Sequence, residues 1–141
     1  MPTYNEAENI TRIVPAVLEV VPSVHLLIVD DGSPDGTGEL ADEIAGADER
    51  VHVLHRQEKQ GLGRAYVAGF RWALERGYDA MIEMDADFSH NPNDLPRLIA
   101  ACAPEAEGGR GADVAIGSRY VDGLRVLNWP LGRLVLSYGA G

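Results

Sequence analysis

The chain has 141 residues, 45% of them hydrophobic, and a chain of this size buries about two thirds of the surface its unfolded form exposes, so one domain over residues 1–141 is expected. With 22 Asp plus Glu against 12 Lys plus Arg, the formal net charge of −10 argues against nucleic acid as a partner, and an anionic substrate needs local neutralisation. The single Cys102 excludes an internal disulfide and fits a reducing compartment; no apolar stretch approaches the roughly 20 residues that cross a bilayer, and no basic-then-apolar leader is present.

In chain order, Ile10, Ile13, Val14, Val17, Leu18 and Val21 recur at helical spacing, with Asn5 or Thr3 as cap and Pro22 as terminator. Residues 26–29 read as a buried strand, aliphatic throughout as parallel strands are. Residues 31–36 form a turn rich in Gly, Pro and Asp, followed by a helix carrying Leu40, Ala41, Ile44 and Ala45. A weaker strand follows at 51–54, then a polar loop at 55–60. Leu62, Ala65, Tyr66, Gly69, Phe70, Ala73 and Leu74 trace the next helix, with Gly77 placed for a left-handed C-cap. Tyr66, Gly69, Phe70 and Trp72 are read as helix packing. A third strand is expected at 80–84, a helix at 94–102, a surface loop at 106–111 and a fourth strand at 114–117.

This alternation predicts an α/β fold: a Rossmann-like, mostly parallel sheet with helices on both faces. Both ends read as cut. The opening loop runs straight into a helix with no strand ahead of it, and the apolar segment begun at 131–136 stops without a partner.

Two acidic signatures carry the chemistry. Asp30-Asp31-Gly32-Ser33-Pro34-Asp35-Gly36-Thr37 follows the first strand, and Asp85-Ala86-Asp87-Phe88-Ser89-His90 follows the expected third. Parallel strands would deliver both to one carboxyl edge, where open α/β sheets bind ligands. Asp85 and Asp87 lie two apart and share a face on an ideal strand. Unit charges 4 Å apart repel by roughly 4 kcal/mol at an effective dielectric near 20, and a hard divalent cation such as Mg²⁺ or Mn²⁺ removes that cost. Asp31 is expected to gather with this pair about one shared ion. The plainer reading of 30–36 is a helix-capping turn.

Pro2-Thr3-Tyr4-Asn5-Glu6, the Val29–Thr37 stretch, Gly61-Leu62-Gly63 with Ala65, the Asp85–His90 stretch and Gly117-Ser118-Arg119-Tyr120 occur in one order. Together with Asn128-Trp129-Pro130, that set resembles the inverting family 2 glycosyltransferases of GT-A fold, and within them the dolichyl- or polyprenyl-phosphate mannosyltransferases. The resemblance implies that Pro2, Tyr4, Glu6, Val29 and Asp31 surround the base and ribose of GDP-mannose. It implies that Asp85, Ala86 and Asp87 meet the nucleotide sugar, with Asp87 the surest ligand of Mg²⁺ or Mn²⁺. Ser89 stands where the family commonly has Gln, a shorter donor that leaves the third ligand open. Arg119 is the cation for the diphosphate or the acceptor phosphate, and with Asp87 is assigned to catalysis; an ion pair with Asp113 or Asp122 is the alternative. His90 is expected to orient its loop, while Lys59 and Arg64 are read as solvated.

The implied reaction is metal-dependent transfer of mannose to a polyprenyl or dolichyl phosphate, with inversion. The implied location is the cytoplasmic face of the membrane, peripherally. A sister transferase using UDP-glucose, and a nucleotide-binding piece without turnover, are the alternatives. A dinucleotide fold is disfavoured because Gly61-Leu62-Gly63-Arg64-Ala65-Tyr66 misses the third Gly and follows a loop.

Overall fold

In the computed structural model, which describes residues 1–117, three parallel strands stand side by side in the order β1-β2-β3: β1 (Pro2–Thr3), β2 (Leu26–Asp30) and β3 (Val51–His55). The helices are α1 (Ala7–Val20), α2 (Thr37–Ala47), α3 (Leu62–Leu74) and α4 (Leu95–Cys102). The α/β expectation is met. The chain divides into two compact units, Met1–Arg97 and Leu98–Gly141.

Alternation along β2 sends side chains to opposite faces. Leu26 and Ile28 join Ile10, Ile13, Val14 and Val17 of α1 and Ala41 of α2 in one buried cluster. On the other face α3 lies close: a Cβ built on Gly69 would sit 3.6 Å from Val29 Cγ2 and 3.8 Å from Leu27 Cδ2. Helices therefore cover both faces, which is why β2 is aliphatic at four successive positions.

Several local expectations are corrected. A short strand does precede the first helix, because Pro2 pairs with Val29 and Thr3 with Asp30. Neither Asn5 nor Thr3 caps α1. Its N-cap is Glu6, with no side-chain cap of its own, and the free N–H groups are taken from far along the chain: Ala7 N–H donates to Asp35 Oδ2 (3.2 Å) and Glu6 N–H to Thr37 Oγ1 (2.9 Å). Residues 80–84 form no strand. Met84 is buried in the main cluster, but Met81 and Ile82 are exposed, and no neighbouring strand pairs with this segment among the described residues. Residues 114–117 are likewise unpaired, with Val114 and Ile116 exposed. The helix expected at 94–102 starts as a short 3₁₀ turn, Pro92–Asp94, capped by Asn91 Oδ1 accepting from Asn93 N–H, before α4. Gly77 is left-handed at φ 73°, and Tyr78 N–H donates to Ala73 carbonyl, closing α3 as expected.

In the second unit, Gly111 N–H donates to Ala103 carbonyl and Ala112 N–H to Ala101 carbonyl, folding the chain back on the end of α4.

Candidate active site

The turn after β2 is built on Asp30 rather than on Asp31. Buried Asp30 accepts at Oδ1 from Thr3 Oγ1 (3.0 Å) and Ser33 Oγ (2.5 Å), and at Oδ2 from Ser33 N–H (3.0 Å). Ser33 Oγ in turn accepts from Asn5 N–H at 3.0 Å, which holds Asn5 left-handed at φ 59°. Asp35 accepts from Thr37 Oγ1 (2.5 Å) and Thr37 N–H (3.1 Å), and the Thr37 hydroxyl bond holds its carboxyl below the ordinary range. The turn therefore serves helix ends, as its plainer reading expects: Asp30 and Asp35 fold it through Thr3, Ser33 and Thr37, and Asp31 takes no part in those bonds.

Asp31 is buried beside Arg56, with Nη1 donating to Oδ1 at 2.6 Å. Pro2 and Val29 are ladder partners, and Asp31 N–H donates to Thr3 carbonyl at 3.1 Å. Tyr4 lies one residue past β1, with Lys59 Nζ 3.9 Å from its ring centroid. Glu6 Oε2 accepts from Asn9 Nδ2 at 2.6 Å. Pro2, Tyr4, Glu6, Val29 and Asp31 are therefore brought to one end of the β1–β2 pair.

In the second acidic loop Ala86 is buried between the half-buried Asp85 and the exposed Asp87. Asp85 Oδ1 accepts from the Tyr66 hydroxyl at 2.9 Å, and Asp85 N–H donates to His90 Nδ1 at 3.1 Å, which gives His90 its expected loop-orienting contact. Asp87 Oδ1 accepts from Ser89 N–H at 2.9 Å. Burial pulls the Asp87 carboxyl upward, but hydrogen bonding from Ser89 and the nearby His90 outweigh it, and the net shift is down. Phe88 between them is left-handed at φ 59°, with the Arg12 guanidinium 5.3 Å from its ring.

One segment touches both loops. Arg56, which holds Asp31, also donates to Gln60 Oε1 (3.3 Å), as does Arg64 (3.2 Å), and Tyr66 follows on α3 with its hydroxyl on Asp85. Arg56 was invisible as a site residue because the sequence shows only a basic residue in a polar loop. Tyr66 packs along α3 as expected and in addition donates to a carboxylate. Lys59 is a correction, since it sits over Tyr4 rather than in solvent alone.

Among the described residues no group of three or more His, Cys, Asp or Glu side chains is placed to hold a metal ion. The expectation that Asp31 shares an ion with Asp85 and Asp87 is not met, because its carboxylate belongs to Arg56. Arg119 lies outside the described residues. A groove of about 640 Å³ lined by His25, His52, Trp72 and Tyr78 sits at the other end of the strands, away from both acidic loops.

Residues 1–139 match the model of glycosyl transferase family 2. The chain belongs to this family. It is 60% identical over 138 residues to polyprenol monophosphomannose synthase of Mycolicibacterium smegmatis, covering 97% of this chain and 50% of that protein. It is 52% identical to undecaprenyl-phosphate mannosyltransferase of Micrococcus luteus, covering 98% of this chain and 54% of the relative. With dolichol-phosphate mannosyltransferase of Pyrococcus furiosus the identity is 39%, over 99% of this chain and 38% of the relative. The chain thus spans about half the length of the first two relatives and less of the third.

Proposed function

We propose that this chain is the nucleotide-sugar-binding domain, over residues 1–141, of an enzyme that transfers mannose from GDP-mannose to a polyprenyl or dolichyl phosphate with inversion. The observation that carries the reading is the identity to three relatives whose names each join mannose to a polyprenol-type phosphate. Pro2, Tyr4, Glu6, Val29 and Asp31 would hold the nucleoside. A carboxylate accepts from base N–H or ribose hydroxyl groups, and Tyr4 offers a flat face and a hydroxyl.

The donor chemistry of the second loop fits Mg²⁺ or Mn²⁺. Magnesium is usually held by one or two carboxylates plus substrate phosphates rather than by an all-protein cage. Asp85 and Asp87 each commit Oδ1 to a protein donor and keep Oδ2 without a protein partner among the described residues. Asp85, Asp87 and Ser89 would hold the ion with the diphosphate. When bound, it would supply Lewis-acid stabilisation of the departing diphosphate.

In the transfer, an acceptor phosphate oxygen attacks the anomeric carbon, the bond from that carbon to the diphosphate oxygen breaks, and the nucleoside diphosphate leaves. A phosphate monoester has its second pKa near 6 and is mostly dianionic at pH 7, so no protein base is assigned. Arg119 is proposed to face the diphosphate or the acceptor. The location proposed is peripheral, at the cytoplasmic membrane face; among the described residues no helix is long and apolar enough to cross a membrane.

Calorimetry of this chain with GDP-mannose and UDP-glucose, with and without Mn²⁺, tests donor recognition. Mn²⁺-dependent preference for GDP-mannose is expected; preference for UDP-glucose, or binding indifferent to metal, rejects the assignment. Transfer is tested on a protein of the relatives' full length, where polyprenyl phosphate and labelled GDP-mannose should give an organic-extractable product.

A further inference from the structure

The Tyr66 hydroxyl does not reach into a gap in the core; it ends on one oxygen of Asp85 at 2.9 Å. We propose that Tyr66 is a positioning residue for Asp85, fixing the carboxylate so that its second oxygen is presented to the metal-bound diphosphate; this rests on the functional reading above.

The geometry that delivers the hydroxyl is rigid. Ala65 is packed at 1% exposure, and Gly69 lies within van der Waals reach of Val29 and Leu27, so α3 rests against the sheet on both sides of Tyr66. The Tyr66 ring stacks on Phe70 one turn later, with centroids 6.4 Å apart and planes 25° from parallel. From that base only the hydroxyl extends to the acidic loop. Asp85 is gripped on its other side, its N–H held by His90 Nδ1 at 3.1 Å. Backbone and side chain of one residue are thus fixed by two independent partners, one from α3 and one from its own loop. A hydroxyl hydrogen atom given to one carboxylate oxygen leaves the other to meet a cation, and partners of this kind set the orientation of metal-ligating carboxylates.

Tyr66→Phe keeps the ring and its stack on Phe70 and removes only the donor. Mn²⁺-dependent GDP affinity, read by calorimetry and by the Mn²⁺ paramagnetic resonance signal, should fall about ten- to hundredfold. The thermal midpoint should stay close to wild type, and amide hydrogen exchange should quicken in residues 85–90 while remaining unchanged in α1 and β2. Unaltered affinity, or slow exchange retained at 85–90, overturns the positioning role. Wild-type protein that binds GDP without regard to Mn²⁺ would reject the functional reading instead, and the exchange result would then decide the Tyr66–Asp85 restraint by itself.

Discussion

Arg56, just beyond β3, holds Asp31, just beyond β2, with 2.6 Å between Nη1 and Oδ1 and side-chain exposures of only 13% and 7%. The pair closes the end of the β2–β3 ladder: Arg56 N–H also donates to Asp30 carbonyl at 2.8 Å. A carboxylate at the end of the strands is thereby fixed by a protein guanidinium, and it is one of the residues proposed to meet the nucleoside.

Arg56→Ala leaves a withdrawn carboxylate without its partner, a change that costs about 3 kcal/mol or more. Urea unfolding should show that loss, and Asp31→Asn in the same chain should recover part of it. An Arg56→Ala variant as stable as wild type would show that the pair contributes nothing, and no recovery in the double variant would show that the loss is not that of an unpaired carboxylate.

Asp87→Ala removes an exposed side chain whose only protein bond among the described residues is from Ser89 N–H. The fold should survive, with a thermal midpoint near wild type, while Mn²⁺-dependent nucleotide binding disappears. Calorimetry beside a melting curve separates the two, and retained binding would remove Asp87 from the ligand set.

Gly32 has φ +68°, and a Cβ there would stand 3.1 Å from Gln57 carbonyl oxygen. Gly32→Ala combines left-handed strain of roughly 1–2 kcal/mol with pressure on the loop that carries Arg56. Denaturant midpoints should fall accordingly, and nucleotide affinity should weaken with them.

His52 gives the pH dependence. Burial first, then neighbouring His25 and Arg76, lower its pKa from 6.5, so the folded state takes up its proton later than the unfolded chain does. Above pH 6.5 both states are neutral and nothing is lost; as pH falls through 6.5 towards the folded value, stability declines. His25 lies 3.3 Å away, nitrogen to nitrogen, and Asp42, Trp72 and Tyr78 line the same groove. Melting curves of His52→Gln between pH 7.5 and 5.5 should show a shallower decline than wild type.

Much of the site was legible because its residues come in contiguous runs. Asp85 and Asp87 are two apart, and Pro2 to Glu6 and Val29 to Asp31 each occupy a few positions. Pro2 to Glu6 and Val29 to Asp31 meet at one strand end because β1 pairs with β2 in parallel, whereas Asp85 and Asp87 lie in a loop outside the ladder. Arg56 and Tyr66 were not legible: nothing in a lone arginine or in an aromatic at helical spacing states which carboxylate it will reach.

Composition and periodicity by themselves determined the α/β class, the helices, two of the strands and the two acidic turns, since each depends on interactions within a few residues. Tertiary structure alone decided that Asp35 and Thr37 take up the free N–H groups of α1, that residues 80–84 lack a ladder, and that Asp31 and Asp85 are secured by Arg56 and Tyr66. Those outcomes turn on distances between segments far apart in the chain, which packing sets and local pattern does not encode.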